Sequence, residues 1–429
     1  MEYEASMVGG VSCLQLAEKM GTPLQVYDQS LIERKLREYR TQFISDEFET
    51  GTVYASKAFL CGALLKLLKQ EQFYLDVVSG GELYCAYKNE FPMERIVFHG
   101  NNKSQEELAQ ALNYGVGTVV LDNPEEAALL SVLAAEKRKR ISVLLRVNPG
   151  IEAHTHKYIM TAHLDSKFGI SIRKREEIVE LLKKLQQDPY LDWKGLHSHI
   201  GSQIFDVQAF REEVRILAEF AESLEVENGL PVHTLDLGGG FAATYTEEDS
   251  PFSIEEGCRA ILEAAKEEKD KRKLSLKRIL IEPGRSLIAE AGSTLYRVGF
   301  RKQTENKRYI FVDGGMADNI RPALYEAKYN CDNISRPEAP KTVWTTVAGK
   351  CCESGDILIE DILLPETETG DLIRIYTTGA YGYSMASNYN RLPRPAVVFV
   401  KDGAAQCVLR RETFDDMDAY ECSEPLELV

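Results

Sequence analysis

From about residue 31 onward, short apolar runs alternate with longer amphipathic stretches. The apolar runs fall at 53–55, 73–78, 96–99, 118–121, 141–147, 195–200, 234–237 and 279–282. Between most of them lie segments whose apolar positions recur three and four apart, as at 59–69, 104–113, 124–139, 173–186 and 207–227. Spacing of that kind predicts a helix with one buried face, whereas a short unbroken apolar run predicts a strand covered on both faces. Strands alternating with helices predict βαβ units and a parallel sheet. Eight such strands over roughly 250 residues is the size of a (β/α)8 TIM-type barrel; a doubly wound open sheet is the competing arrangement.

The texture changes after Gly292. Helical periodicity thins, and short alternating runs appear at 294–299, 309–313, 342–348, 372–376, 396–401 and 406–411, punctuated by Gly, Pro and Asp. That pattern predicts an all-β second domain. Near the N-terminus a helical piece at 11–19 precedes an alternating run at 22–27. The expected organisation is therefore a barrel over 31–290, with 1–30 joining 291–429 in a β-sandwich or β-barrel domain. The fold class is α/β with a C-terminal all-β domain.

Composition supports this outline and excludes some partners. At 429 residues the chain exceeds one ordinary core. A net charge of −16 argues against nucleic acid, which needs a basic face. No apolar run is long enough to span a bilayer, and the start Met1-Glu2-Tyr3-Glu4 does not resemble a secretory signal, so a cytoplasmic protein with no membrane partner is expected. The nine cysteines have no regular spacing and no C-x-x-C pair, which argues against a disulfide framework or a structural zinc site.

A barrel carries its chemistry at the C-terminal ends of its strands. Polar residues gather there after every apolar run: Lys57, Asp76 with Ser79, His99 with Asn101, Asp122 with Asn123, Arg146 with Asn148, His197 with His199, Gly238–Gly240, and Glu282 with Arg285. Lys57 ends a strand that should be buried. Burial lowers a lysine's pKa and makes it a nucleophile for carbonyl groups, able to form a Schiff base; a solvated corner lysine is the plainer reading of the hexapeptide alone. The glycines of Asp236-Leu237-Gly238-Gly239-Gly240-Phe241 let backbone N–H groups converge on an anion such as a phosphate. A dinucleotide fingerprint would need a helix to open there, and the following Thr244–Pro251 stretch is a poor helix start. Glu282, at a barrel mouth, calls for a positive partner; a protonated pyridine nitrogen or Arg285 would serve. His197 and His199 alternate on a strand and could hold a metal with His99 or Asp122, or stack on a flat ligand without one; no metal is the preferred reading.

An amine, a phosphate cradle and a carboxylate for a ring nitrogen describe pyridoxal 5'-phosphate. The chain resembles the fold-type III pyridoxal-phosphate decarboxylases, with their alanine-racemase-like architecture. The resemblance covers nearly the whole chain and rests on Tyr54-Ala55-Ser56-Lys57-Ala58-Phe59, Asp76 through Leu83, Phe98 through Lys103, Ser166-Lys167-Phe168-Gly169 and His197 through Gln203. It continues through the glycine run, Glu282–Arg285, Arg321-Pro322-Ala323-Leu324-Tyr325, Cys352-Glu353-Ser354-Gly355-Asp356 and Gly379-Ala380-Tyr381. Ser198, where many relatives have cysteine, and Ala242, where glycine is common, depart from the pattern.

The resemblance implies roles residue by residue. Lys57 would hold the cofactor covalently, with Asp76 beside it and His199 on the ring face. Ser202, Gly239, Gly240, Gly284, Arg285 and Tyr381 would bind the cofactor, with Glu282 on the ring nitrogen. Arg285, Arg321, Tyr325 and Tyr381 would bind substrate and Glu353 would take its distal ammonium. Cys352 would donate a proton, although Cys351 beside it leaves the choice of thiol open. The implied reaction is decarboxylation of meso-2,6-diaminopimelate to L-lysine, by a homodimer with shared active sites. A related decarboxylase of carboxynorspermidine, ornithine or arginine type is the alternative.

Overall fold

The structure, a computed structural model, describes residues 5–151 and 166–424. The chain forms two compact units, one of Ile32–Ile288 and one of Met1–Leu31 with Ala289–Val429.

The larger unit alternates helix and strand along its described residues: α1 (Gln29–Gln42), β1 (Glu49–Ala55), α2 (Gly62–Gln70), β2 (Tyr74–Val77), α3 (Gly80–Lys88), β3 (Ile96–Phe98), α4 (Gln105–Tyr114) and β4 (Thr118–Leu121). It continues through α5 (Pro124–Lys137), β5 (Ile141–Asn148), α6 (Arg175–Gln187), β6 (Leu191–His197), α7 (Gln208–Asn228), β7 (Thr234–Asp236), α8 (Ile254–Arg272) and β8 (Arg278–Ile281). Each strand from β1 to β5 pairs in parallel with the next. β5 pairs with β6, β6 with β7, β7 with β8, and β8 returns to β1, which closes the eight-stranded barrel. The competing open sheet is thereby excluded.

Local chemistry sets the helix starts. The side chains of Ser79, Ser104, Asn123 and Ser253 each accept a hydrogen bond from the N–H three residues on, satisfying a donor that the helix cannot pair. At α4 this is a full capping box with Glu107. The helices at α1, α3 and α8 were not among the amphipathic segments read from the sequence. Helix α3 opens on Gly80-Gly81, which looks like loop. Helix α8 is dense in charge, and its buried face is made of small residues such as Ala260 and Ala264.

In the second unit, a mostly antiparallel sheet is built from the N-terminal strand Leu24–Asp28 with β9 (Gly292–Gln303), β10 (Arg308–Val312), β11 (Val343–Ala348), β12 (Ile357–Leu364), β13 (Leu372–Ile375), β14 (Ala396–Lys401) and β15 (Ala404–Leu409). The N-terminal strand lies between β9, antiparallel, and β14, parallel. Its Leu24 and Val26 share a buried cluster with Leu16, Leu295, Leu372 and Val398. No helix among the described residues is long and apolar enough to cross a membrane.

Candidate active site

Side chains alternate across a strand, so residues two apart share a face. Val53, Val97, Val120, Leu144 and Leu280 form one buried cluster, with Tyr74 packed against it. Two residues further along the same strands come Ala55, Asp76, His99, Asp122, Arg146 and Glu282. The barrel interior thus changes within one step from an apolar layer to a polar one. Asp76, His99, Asp122, His197, Asp236 and Glu282 are all buried there.

Glu282 is the hub of this polar layer. Its Oε1 lies 2.7 Å from His99 Nε2, and its Oε2 3.2 Å from His197 Nε2. The two imidazole rings meet edge to face, with centroids 4.8 Å apart. Burial pushes the Glu282 carboxyl up, but the attraction of His99 and His197 outweighs it and holds the group well below the usual range. The neighbouring carboxyls go the other way. Burial, with repulsion from Glu282, raises Asp236 well above its ordinary value; burial also raises Asp76, against the pull of His99. Burial lowers the His197 imidazole to about 3, so this ring is neutral. Of the three carboxyls, only that of Glu282 is shifted towards its ionised form.

The histidine pair expected from the alternation has separated. His197 faces Glu282, whereas His199 Nδ1 accepts the Gly239 N–H at 3.1 Å. The metal reading grouped His197 with His199, but the structure groups His197 with His99 and Glu282, whose ligand atoms lie within 4.8 Å of one another. Each imidazole nitrogen of that group addresses a separate carboxylate oxygen, the arrangement of a carboxylate contacted twice. His199 itself is held well below its ordinary pKa by burial and by the positive charges of Lys57 and Arg146.

Lys57 requires a correction. The sequence placed it at a buried strand end, where desolvation would tune its amine. The strand ends at Ala55, the three-residue turn Ser56–Ala58 follows, and Lys57 is exposed between buried neighbours. Its environment is set by charge, through Asp76 and His199, which feel its positive field.

The glycine turn is a backbone surface. A methyl group on Gly239 would come within 2.2 Å of the Glu282 carbonyl oxygen, and Gly238 has φ +61°. Gly238 N donates to Asp236 Oδ1 at 3.1 Å. No helix follows until Ile254. Buried Arg285 donates from Nε and Nη2 to Ser202 Oγ at 3.2 and 3.1 Å, and from Nη1 to the Tyr245 hydroxyl at 2.6 Å. Gly284 packs against Ala55 and Ala58, on either side of the Lys57 turn.

In the β-rich unit, buried Arg321 donates from Nη1 to Tyr329 OH at 2.8 Å. Its guanidinium carbon lies 6.0, 5.9 and 5.8 Å from the ring centroids of Tyr325, Tyr329 and Tyr381. On the segment between β11 and β12, the Asp356 carboxylate accepts the Met316 N–H at 2.6 Å and the Cys351 N–H at 2.7 Å. The Cys351 side chain is buried, and burial followed by repulsion from Asp356 pushes its thiol up to about 11. Cys352 and Glu353 are exposed, and Cys352 N donates to Asn390 Oδ1 at 2.7 Å.

Of the sequence-selected residues, the structure brings Asp76, His199, Gly239, Glu282 and Arg285 with Ser202 to the Lys57 end of the barrel. It sets Arg321, Tyr325 and Tyr381 together in the other unit. Sequence reasoning assigned no role to Asp236, Glu213, Tyr245 or Tyr329. Asp236 was findable, because it follows the strand residue Thr234 by two. Glu213 was not: it lies on α7, fully buried, and accepts a hydrogen bond from Ser198. Burial pushes its carboxyl up to about 8.

Residues 29–289 match the family model "Pyridoxal-dependent decarboxylase, pyridoxal binding domain". Fold and site together define a pyridoxal-dependent decarboxylase. Diaminopimelate decarboxylase of Bacillus subtilis is 48% identical over 411 residues, covering 96% of this chain and 93% of that protein. Two solved structures are similar throughout. Diaminopimelate decarboxylase from M. jannaschii, in complex with L-lysine, has a TM-score of 0.92 at 33% identity, over 98% of this chain and 97% of the other. The Helicobacter pylori enzyme, complexed with L-lysine, has a TM-score of 0.87 at 32% identity, over 95% and 98%. The chain belongs to the diaminopimelate decarboxylase family.

Proposed function

We propose that this enzyme decarboxylates meso-2,6-diaminopimelate to L-lysine, using pyridoxal 5'-phosphate, as the last step of lysine biosynthesis. The residues present fit that cofactor: an accessible amine at Lys57, a side-chain-free turn at Gly238–Gly240, and one carboxylate held ionised at Glu282. When bound, the cofactor supplies the electron sink that loss of carbon dioxide requires. Lys57 would hold it covalently, with Asp76 near the amine. Glu282 would answer the ring nitrogen, and His199 would lie against the ring. Ser202, Gly239, Gly240, Gly284, Arg285 and Tyr381 would bind the remainder. Cys352 would be the proton donor; its exposure, against the buried Cys351 whose thiol is pushed up, supports this choice.

The observation that carries the substrate reading is Arg321, a buried guanidinium fixed among three tyrosines. A fixed guanidinium suits a carboxylate far from the reacting carbon, and diaminopimelate has one. Tyr325 and Tyr381 complete that end; Arg285 would also bind substrate, and Glu353 would take the distal ammonium. Ornithine and arginine have no second carboxylate to engage Arg321. The reading includes a homodimer in which each Cys352–Glu353 segment serves the partner's barrel. It also includes a cytoplasmic location, where the nine free thiols stay reduced. Carbon dioxide release measured on meso-diaminopimelate, lysine, ornithine and arginine tests it. Turnover of diaminopimelate alone is expected; turnover of ornithine without diaminopimelate overturns it.

A further inference from the structure

The reading above leaves His99 and His197 without a role, although both are buried and both reach the same carboxylate. We propose that His99 and His197 are positioning residues for Glu282: one imidazole nitrogen at each carboxylate oxygen fixes the plane of the group and makes it the anion that the ring nitrogen meets. This rests on Glu282 being the partner of that nitrogen.

Three observations carry the inference. The contacts are 2.7 Å to Oε1 and 3.2 Å to Oε2, one imidazole at each oxygen. The imidazoles come from two different strands, His99 just after β3 and His197 at the end of β6, while Glu282 follows β8, so the barrel itself sets the geometry. Finally, a carboxylate buried to this degree is costly unless polar groups replace the water it has lost; His197 Nε2 does so as a hydrogen-bond partner of Oε2, and His99 Nε2 as a close ion-pair contact of Oε1. Asp76 and Asp236 lie nearby, and their carboxyls are pushed up while that of Glu282 is held down; of the three, only Glu282 is contacted by two imidazoles. The other charged groups that face it are Arg146 on β5 and Glu213 on α7.

The test uses the full-length protein stripped of cofactor and titrated with pyridoxal 5'-phosphate. The dissociation constant and the pH titration of the visible band of the bound cofactor are both read. His197→Gln places an amide N–H where Nε2 stood; His197→Asn places a similar amide too short to reach Glu282. The expected result is near wild-type behaviour for the Gln variant. For the Asn variant, cofactor binding should be about tenfold weaker, with the band titrating at lower pH. His99→Gln and His99→Asn should repeat the contrast at Oε1. Glu282→Gln is the control for the underlying reading and should disturb both readouts. If Gln and Asn variants behave alike at both positions while Glu282→Gln changes both readouts, the positioning role is wrong and the Glu282 reading survives. If Glu282→Gln changes neither, the Glu282 reading fails and the clamp falls with it.

Discussion

At the scale of single residues, the same functional group is used differently according to its surroundings. Cys351 and Cys352 are neighbours, yet one thiol is buried beside Asp356 and the other is exposed. Cys352→Ser should therefore reduce kcat by several orders of magnitude, whereas Cys351→Ser should retain most activity; steady-state kinetics of the two variants checks this. Lys57→Ala should abolish the visible band of the bound cofactor, which an absorption spectrum reads directly. Glu213 offers a prediction about stability. Its folded-state pKa of about 8 lies above the ordinary value of 4.5, so the folded protein binds this proton more tightly than the unfolded chain. Its contribution is fully present below the ordinary value and is lost as pH rises towards about 8. Glu213→Gln should flatten the fall in thermal stability across that window, and melting curves at several pH values measure it. Most of the site could be read from strand ends, because a polar residue two positions beyond a buried apolar one must enter the same interior. Glu213 could not: a glutamate on an amphipathic helix looks solvated until the packing of that helix is known.

At the scale of elements, close backbone approach explains residues that spacing alone leaves ambiguous. Strands β6 and β7 run so near that a methyl group on Gly195 would meet the Thr234 carbonyl oxygen at 1.9 Å. The backbone must move to admit it. Gly195→Ala should destabilise the barrel by about 1–3 kcal/mol, the range of overpacked cores, and a lowered melting temperature would report it. The loop between β11 and β12 shows the same economy. Asp356 gathers two backbone N–H groups, and Gly315 and Gly349 leave it the space, with hypothetical methyl groups falling within 2.6 Å of its oxygens. The (β/α)8 rhythm was legible because parallel strands are apolar throughout and their helices are amphipathic. What escaped were elements whose composition runs against their type. Among them are α3, opening on two glycines, the charge-dense α8, and β12, whose Glu360-Asp361 pair interrupts its apolar run.

For the whole molecule, the proposed sharing of sites between two chains makes its own prediction. Lys57→Ala and Cys352→Ala variants, each inactive alone, should regain partial activity when mixed under conditions that exchange subunits; activity that stays at background would argue for sites complete within one chain. The closure of the barrel has a consequence for synthesis. Chains emerge from the ribosome N-terminus first. Lys57 and Asp76 are made early, just after β1 and on β2, but β1 has a free edge until β8 arrives to pair with it. Glu282 is the residue that follows that last strand. A nascent chain that stops short of β8 therefore carries the amine without the carboxylate proposed for the ring nitrogen. Cofactor capture is in this sense a checkpoint on a finished barrel, and a translation product truncated within α8 should neither retain pyridoxal phosphate nor turn yellow.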